Sequence, residues 1–241
     1  MVPSVQDVVE WDPPPVSVMS FNWARASAAQ VCAILAGGGY AEKVAAPAGQ
    51  LLPIPPGVTL KDAASLPEVA CTVWSTVFMT SRLSRGETLL VHGGSSGIGT
   101  FVIQIAKYQG ARVFITAEET DGKGVDVILD SIGAPYFQRN LESLNFDGRI
   151  FSIGTAEGDI TQLDFRSLFA KRLTVQAPGL RNQSPENKAV IVSEVEKIVW
   201  PAVATGKVKP VILKYLLLSM AAEAHKLMES SKHIGKILLI P

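Results

Sequence analysis

Apolar residues along the chain alternate between two spacings. Residues 88–92, 112–117 and 125–130 are short, mostly apolar runs, which are typical of strands buried on both faces. Between the first two runs, apolar residues at 100–109 recur at the spacing of an amphipathic helix. Strands that alternate with helices in this way predict a parallel, doubly wound α/β sheet.

The alternation continues toward the C-terminus. Further strands are predicted at 149–153, 173–177, near Val211 and at 236–240, and helices at 61–80, 185–205 and 221–230. Pro201 is expected to kink or end the second of these helices, because proline lacks the backbone N–H and its ring collides with the preceding turn. Residues 1–30 keep neither a period of two nor one of 3.6, so we interpret them as an irregular tail.

The composition is that of a globular protein without a nucleic-acid partner. Hydrophobic residues make up 47% and charged residues 18% of the chain, and its 22 basic residues balance its 22 acidic ones. Two cysteines are too few for a disulfide framework. The N-terminus does not resemble a signal peptide, and no stretch approaches the roughly 18 apolar residues of a membrane span. We therefore expect a cytoplasmic protein with no membrane span.

A glycine-rich turn is the strongest candidate for chemistry. Residues 93–99 read GGSSGIG and stand between a predicted strand and a predicted helix. Glycines let the main chain approach a pyrophosphate, and the free N–H groups at the start of a helix bind anions. The spacing departs from the usual G-x-G-x-x-G, so a tight turn without a ligand remains an alternative.

Two other enzyme classes share parts of this turn. Residues 93–97 fit the G-x-S-x-G elbow of α/β-hydrolases, but that elbow does not require the further glycine at 99. Short-chain dehydrogenases share the Gly-Ile-Gly ending and carry a Tyr-x-x-x-Lys pair, whereas none of the four tyrosines here is followed four residues later by lysine. The cysteines and histidines have no metal-ligand spacing, so no metal site is predicted.

Five short motifs follow one another along the chain. They are VHGGSSGIGT at 91–100, VILDSIG at 127–133, DGR at 147–149, EAHK at 223–226 and HIGKI at 233–237. In this order they resemble the zeta-crystallin-like NADPH:quinone oxidoreductases, zinc-free members of the medium-chain dehydrogenase/reductase superfamily. The resemblance extends from about Val31 to the C-terminus.

The resemblance implies a cofactor, a reaction and a set of binding residues. The expected function is hydride transfer from NADPH to a quinone or an activated alkene, without zinc, in a possible homodimer joined at its sheet edges. Because such a reaction depends mainly on positioning, no catalytic residue is assigned. The residues that match cofactor contacts are Thr72, Gly94, Ser95, Ser96, Gly97, Ile98, Gly133, Ile153, Gly154 and Lys236. A solvated lysine before the last strand is the alternative for Lys236.

The resemblance also implies a domain division. We expect a tail at 1–30, a remnant of a mostly β, GroES-like catalytic domain at 31–66, an incomplete Rossmann-like nucleotide-binding domain at 67–205, and a segment at 206–241 that returns to the catalytic remnant. Most of the family's catalytic domain, which forms half of the substrate cleft, is not recognisable. The chain is therefore expected to be truncated N-terminally relative to the family.

A second gap lies inside the nucleotide-binding domain. Only residues 118–124 separate two predicted strands, whereas a parallel β-α-β unit needs roughly 30 residues. We therefore expect the sheet to lack one helix–strand unit and, by resemblance, the residues that bind the adenosine 2′-phosphate. Glu118 and Glu119 stand where an acidic residue would select NAD, a match that we interpret as accidental. The alternative to an active NADPH-dependent quinone oxidoreductase is an impaired variant that binds nucleotide weakly or acts only through a partner.

Overall fold

The computed structural model of the protein describes residues 8–9, 18–23, 26–115 and 124–241. These residues divide into two compact units. The sheet unit is Val73–Gly179, and the terminal unit comprises the described residues up to Thr72 together with Leu180–Pro241. The domain boundaries inferred from the sequence remain predictions.

The strands and helices follow the alternation of the apolar pattern. The strands are β1 (Val8–Val9), β2 (Val18–Trp23), β3 (Ala26–Ala33), β4 (Ala46–Pro47), β5 (Leu51–Pro53), β6 (Thr88–Val91), β7 (Arg112–Ile115), β8 (Val125–Asp130), β9 (Leu144–Ser152), β10 (Thr174–Gln176), β11 (Ile212–Leu217) and β12 (Lys236–Ile240). The helices are α1 (Leu60–Ala63), α2 (Leu66–Val73), α3 (Gly97–Tyr108), α4 (Phe137–Ser143), α5 (Phe165–Lys171), α6 (Pro185–Glu194), α7 (Trp200–Ala204) and α8 (Ala221–Glu229). π-Helical segments follow α2 at Trp74–Thr80 and α6 at Val195–Val199.

Five parallel strands form the sheet unit, in the order β10-β9-β8-β6-β7. All of β6 is buried, and so is β8 except Asp126, which explains their nearly continuous apolar sequences. The strand order reverses between β6 and β8, because the chain continues from β6 to β7 on one side and then to β8 on the other. Ligands of open parallel sheets bind in the crevice at such a reversal, outside the carboxyl ends of the strands.

The sheet confirms the predicted Rossmann-like class. β7 ends at Ile115 and β8 begins at Val125, an interval too short for the further helix and strand of a β-α-β unit of roughly 30 residues. The connecting residues 116–123, with Glu118 and Glu119, lie outside the described residues. The strand predicted at 149–153 begins earlier, at Leu144, because Leu144 pairs with Val125 on β8. An irregularity in the pairing separates this pair from the pair Val127 and Arg149.

Three smaller sheets belong to the terminal unit: β2-β3-β5, β1-β4 and β11-β12. The prediction of an irregular tail over 1–30 was therefore incomplete, since β2 and most of β3 lie within it. The sequence at 26–30, ASAAQ, lacks the alternation that marks a strand. Antiparallel pairing of β3 with β2 and β5 defines the strand instead.

Helical structure continues past Pro201, so the helix does not end at this residue. Helix α6, the π-helical segment and α7 follow one another without a gap from Pro185 to Ala204. Pro201 stands in the first turn of α7, directly after the π-helical segment. A proline costs little in a first turn, where its missing N–H is not needed. Within the described part of the chain, no helix has the length and apolar composition to cross a membrane.

Candidate functional site

The glycine-rich turn joins β6 to α3 at the point where the strand order reverses. Gly93 has a φ of +70°, a conformation that side chains other than glycine rarely adopt. Its carbonyl accepts the Ser96 N–H at 3.0 Å. A Cβ on Gly99 would lie 2.2 Å from that same carbonyl oxygen, so the first turn of α3 packs against the backbone of the glycine turn. No side chain fits at position 99.

The start of α3 presents N–H groups outward. Ser96 is the N-cap residue, and its Oγ accepts the Gly99 N–H at 3.0 Å. A helical N–H group donates to the carbonyl four residues earlier, and for Gly97 and Ile98 that carbonyl would lie before the helix begins. Their N–H groups therefore point out of the N-terminus of α3, where the helix dipole is positive. This backbone suits a phosphate. A Cβ on Gly94 would lie 2.4 Å from the Ile115 side chain at the end of β7, which explains the glycine there.

The loops after β8 and β9 bind to each other beside this turn. Ala134 N–H donates to the Gly158 carbonyl at 3.0 Å, and Ile153 N–H donates to the Asp130 carbonyl at 2.8 Å. Gly133 has a φ of +91°, and a Cβ there would lie 2.5 Å from the Gly158 oxygen. The two loops therefore form one backbone-lined edge that contains the predicted residues Gly133, Ile153 and Gly154.

Three buried polar side chains connect the glycine turn to the loop after β8. His92 Nε2 lies 2.7 Å from Asn140 Oδ1, and Asn140 Nδ2 donates to Asp130 Oδ2 at 3.4 Å. Asp130 Oδ1 also accepts the N–H groups of Ile132 at 2.8 Å and Gly133 at 3.3 Å. The carboxylate at the end of β8 thus holds the loop that contains Gly133.

The two remaining predicted residues share one partner in the terminal unit. Thr72 Oγ1 donates to Glu68 Oε1 at 3.1 Å, and Lys236 Nζ lies 2.9 Å from Glu68 Oε2. The Glu68 side chain is 57% exposed and that of Lys236 24% exposed. Lys236 is therefore a partly exposed, ion-paired residue, and its role at a cofactor phosphate stays a prediction.

The chain matches one family model, described as zinc-binding dehydrogenase, over residues 101–239. This match covers more than half of the 241 residues. The chain belongs to the zinc-binding dehydrogenase family. It is thereby a member of the medium-chain dehydrogenase/reductase superfamily, which confirms the resemblance of the five motifs at that level.

Other proteins are similar to this chain in sequence or in fold. The lovastatin diketide synthase lovF of Aspergillus terreus is 26% identical over 245 residues, which cover 87% of this chain but 10% of the synthase. The JamJ enoyl reductase superposes with a TM-score of 0.78 at 21% identity, over 90% of this chain and 74% of that one. The Escherichia coli quinone oxidoreductase, solved with NADPH, superposes with a TM-score of 0.77 at 23% identity, over 91% and 77%. This chain spans about a tenth of the length of the curated relatives it matches.

The family name refers to zinc, but the described residues of this chain contain no group of side chains that could hold it. Within residues 8–9, 18–23, 26–115 and 124–241, no three or more His, Cys, Asp or Glu side chains come together as a metal site. Cys32 and Cys71 are buried thiols, and burial raises the pKa of each to about 12.

Sequence reasoning did not assign Glu68 or Asn140 to the candidate site. Glu68 lies four residues before Thr72 on the same helix, so the i, i+4 spacing was a signal that could have identified it. Asn140 lies 48 residues after His92 and carries no motif. Only the tertiary structure places its amide between His92 and Asp130.

Proposed function

We propose that this chain is an NADPH-dependent oxidoreductase that transfers hydride to a quinone or an activated alkene. The observation that carries the proposal is the glycine turn at the strand reversal, where Gly99 packs against the Gly93 carbonyl and the N-terminus of α3, capped by Ser96, presents its first N–H groups to an anion. Membership of the zinc-binding dehydrogenase family supports this assignment of the site.

Each predicted residue has a role in this proposal. The backbone from Gly94 to Ile98 would bind the pyrophosphate, and Gly133, Ile153 and Gly154 would line the ribose and the nicotinamide. In the terminal unit, Thr72 would contact the nicotinamide, and Lys236 would give a positive charge to a cofactor phosphate. Glu68 holds both side chains and so fixes where their polar atoms lie.

The substrate class is an electron-poor conjugated carbonyl compound. An activated alkene accepts the hydride at its β-carbon, and the resulting enolate takes a proton from solvent. A quinone accepts the hydride at a carbonyl oxygen or a ring carbon, and a proton from solvent completes the hydroquinone. When bound, the reduced nicotinamide supplies the hydride, while the residues of this chain bind and orient. The JamJ enoyl reductase and the E. coli quinone oxidoreductase share this fold, which supports an enone and a quinone as the two compounds to test.

We also propose a homodimer that forms through the sheet edge. β10 is the last strand of the sheet, and its three residues, Thr174–Gln176, are all exposed. An exposed edge strand presents unpaired N–H and carbonyl groups that can pair with a second strand. Val175, 42% exposed, would add apolar contact.

One observation favours weak nucleotide binding without turnover as the alternative. β7 ends at Ile115 and β8 begins at Val125, and this interval is too short for the helix–strand unit in which the family's 2′-phosphate residues are expected. A chain of this kind would bind NADPH no better than NADH.

The test is a fluorescence titration of the whole chain with NADPH and with NADH, together with absorbance assays of NADPH oxidation by 1,4-benzoquinone and by a crotonyl thioester. Saturable NADPH binding and substrate-dependent oxidation are the expected results. Binding without oxidation of either substrate would favour the alternative. Well-folded protein that binds neither nucleotide would contradict both.

A further inference from the structure

The three side chains that connect the glycine turn to the loop after β8 are almost completely buried. Asp130 is 1% exposed, Asn140 2% and His92 7%. A buried polar group must be hydrogen-bonded or it costs stability, so the direction of each hydrogen bond in this chain of contacts is constrained.

The carboxylate determines that direction. Both oxygens of Asp130 accept N–H groups, and the Asn140 amide therefore turns its Nδ2 toward Asp130. Asn140 Oδ1 then faces His92 Nε2, 2.7 Å away, and a carbonyl oxygen can only accept. Nε2 must carry the ring hydrogen. His92 Nδ1 is left as an acceptor, and it is buried without a hydrogen-bond partner among the described residues.

The three side chains contact both the glycine turn and the loop after β8. His92 immediately precedes the glycine turn, its N–H donates to the Leu129 carbonyl at 3.0 Å, and its carbonyl accepts from Ser131 Oγ at 3.4 Å. Asp130 holds Gly133 through the backbone N–H. The turn after β6 and the loop after β8 are therefore tied together by contacts that involve no cofactor.

We propose that His92 and Asn140 are positioning residues for the dinucleotide. Asp130, acting through Asn140, holds His92 as the Nε2–H tautomer, and this bond keeps the glycine turn and the Gly133 loop at the separation that one dinucleotide requires. The role rests on the proposed function, since it concerns the binding of the same cofactor.

The decisive variants reverse and then restore the hydrogen-bond direction. In Asp130→Asn, the new amide donates to Asn140 Oδ1, so Asn140 Nδ2 faces His92 and the ring hydrogen moves to Nδ1. In the double variant Asp130→Asn with Asn140→Asp, the carboxylate at 140 accepts from both neighbours, and the Nε2–H tautomer returns. Asp126→Asn is the matched control, because Asp126 accepts from Asn145 Nδ2 at 2.8 Å at the other end of the same strand.

Nitrogen NMR of the imidazole rings reads the tautomer, and fluorescence titration reads NADPH affinity. The chain has three histidines, and the His92 signals are those lost in His92→Asn. We expect Asp130→Asn to exchange the two nitrogen shifts of His92 and to weaken NADPH binding about tenfold, with both effects reversed in the double variant. Asp126→Asn should lower thermal stability while both readouts stay as in the unmodified protein.

The outcomes separate this role from the proposed function. Unmodified protein that binds neither NADPH nor NADH overturns the proposed function and, with it, the positioning role. If the unmodified protein binds NADPH normally, two results overturn the positioning role alone. One is an unchanged NADPH affinity in Asp130→Asn, and the other is an NADPH affinity that does not recover in the double variant. An unchanged His92 tautomer in Asp130→Asn overturns the hydrogen-bond direction on which it depends.

Discussion

Gly99 and Gly179 differ in the space around them. A Cβ on Gly99 would lie 2.2 Å from the Gly93 carbonyl oxygen and 2.6 Å from the Gly94 Cα, both backbone atoms that cannot move without opening the turn. A Cβ on Gly179 would meet nothing within 4 Å. The requirement for glycine at 99 is therefore one of space rather than of backbone conformation.

We expect Gly99→Ala to weaken NADPH binding at least tenfold, because the turn must open and move the N–H groups of Gly97 and Ile98. Its thermal stability should also fall. Gly179→Ala is the control and should change neither quantity. Fluorescence titration measures the NADPH affinity of the two variants, and thermal denaturation measures their stability. Normal NADPH affinity in Gly99→Ala would contradict the proposal that this turn binds the pyrophosphate.

Tyr215 donates a hydrogen bond to Asp62 Oδ1, with Lys61 Nζ lying 4.4 Å from the centre of the tyrosine ring. The bond to Asp62 raises the pKa of Tyr215 from 10.0 to about 12, and partial burial adds to the increase. A raised pKa in the folded state means that the interaction stabilises the fold fully below pH 10. This stabilisation is lost as the pH rises from about 10 through 12.

An alkaline absorbance titration checks this pKa. One of the four tyrosines should ionise later than the others, and in Asp62→Asn, which replaces the charged acceptor by a neutral one, the pKa of Tyr215 should return toward 10. Tyr215→Phe should remove the late-ionising group. Identical titrations of the unmodified protein and Asp62→Asn would show that the carboxylate does not raise this pKa.

At the scale of the element, α3 and α6 begin in the same way but serve different units. Ser96 Oγ accepts the Gly99 N–H at 3.0 Å in the sheet unit, and Ser184 Oγ accepts the Asn187 N–H at 3.2 Å in the terminal unit. Both are N-cap serines with extended backbone. Of the two, the helix start at Ser96 is the one that belongs to the candidate nucleotide site.

Ser96→Ala and Ser184→Ala form a matched pair. Each should lower the free energy of unfolding by about 1 kcal/mol, the usual loss when an N-cap serine is removed. Only Ser96→Ala should also weaken NADPH binding severalfold, because the first turn of α3 loosens. Denaturant unfolding measures the change in stability, and fluorescence titration measures the NADPH affinity. Equal NADPH affinity in the two variants would contradict a role of the Ser96 cap in nucleotide binding.

At the scale of the whole molecule, both cysteines belong to the terminal unit and are closed off from solvent. Cys32 is 0% and Cys71 1% exposed. Burial is the main cause that raises the pKa of each thiol to about 12, with Cys32 and Glu68 adding to the increase at Cys71. Since the thiolate is the nucleophile, native thiols of this kind react slowly.

We expect neither cysteine to react with a disulfide reagent such as dithionitrobenzoate at pH 8 in the native protein, and both to react once guanidinium unfolds it. Counting the thiols that react over time measures the opening of the terminal unit. Rapid labelling of either cysteine in the native protein would contradict its burial.

The sequence by itself determined the local features: the strands at β6 and β8, the helix α3 between β6 and β7, and the glycine turn. These depend on residues that are close in the chain, where apolar spacing and the need for glycine are visible directly. Tertiary structure decided the rest. Strand β3 lacks an alternating pattern and is defined by its pairing with neighbouring strands. His92 contacts Asn140, which lies 48 residues later in the chain, and Glu68 contacts Lys236, which lies 168 residues later. Such contacts depend on the topology of the folded chain, which local spacing does not encode.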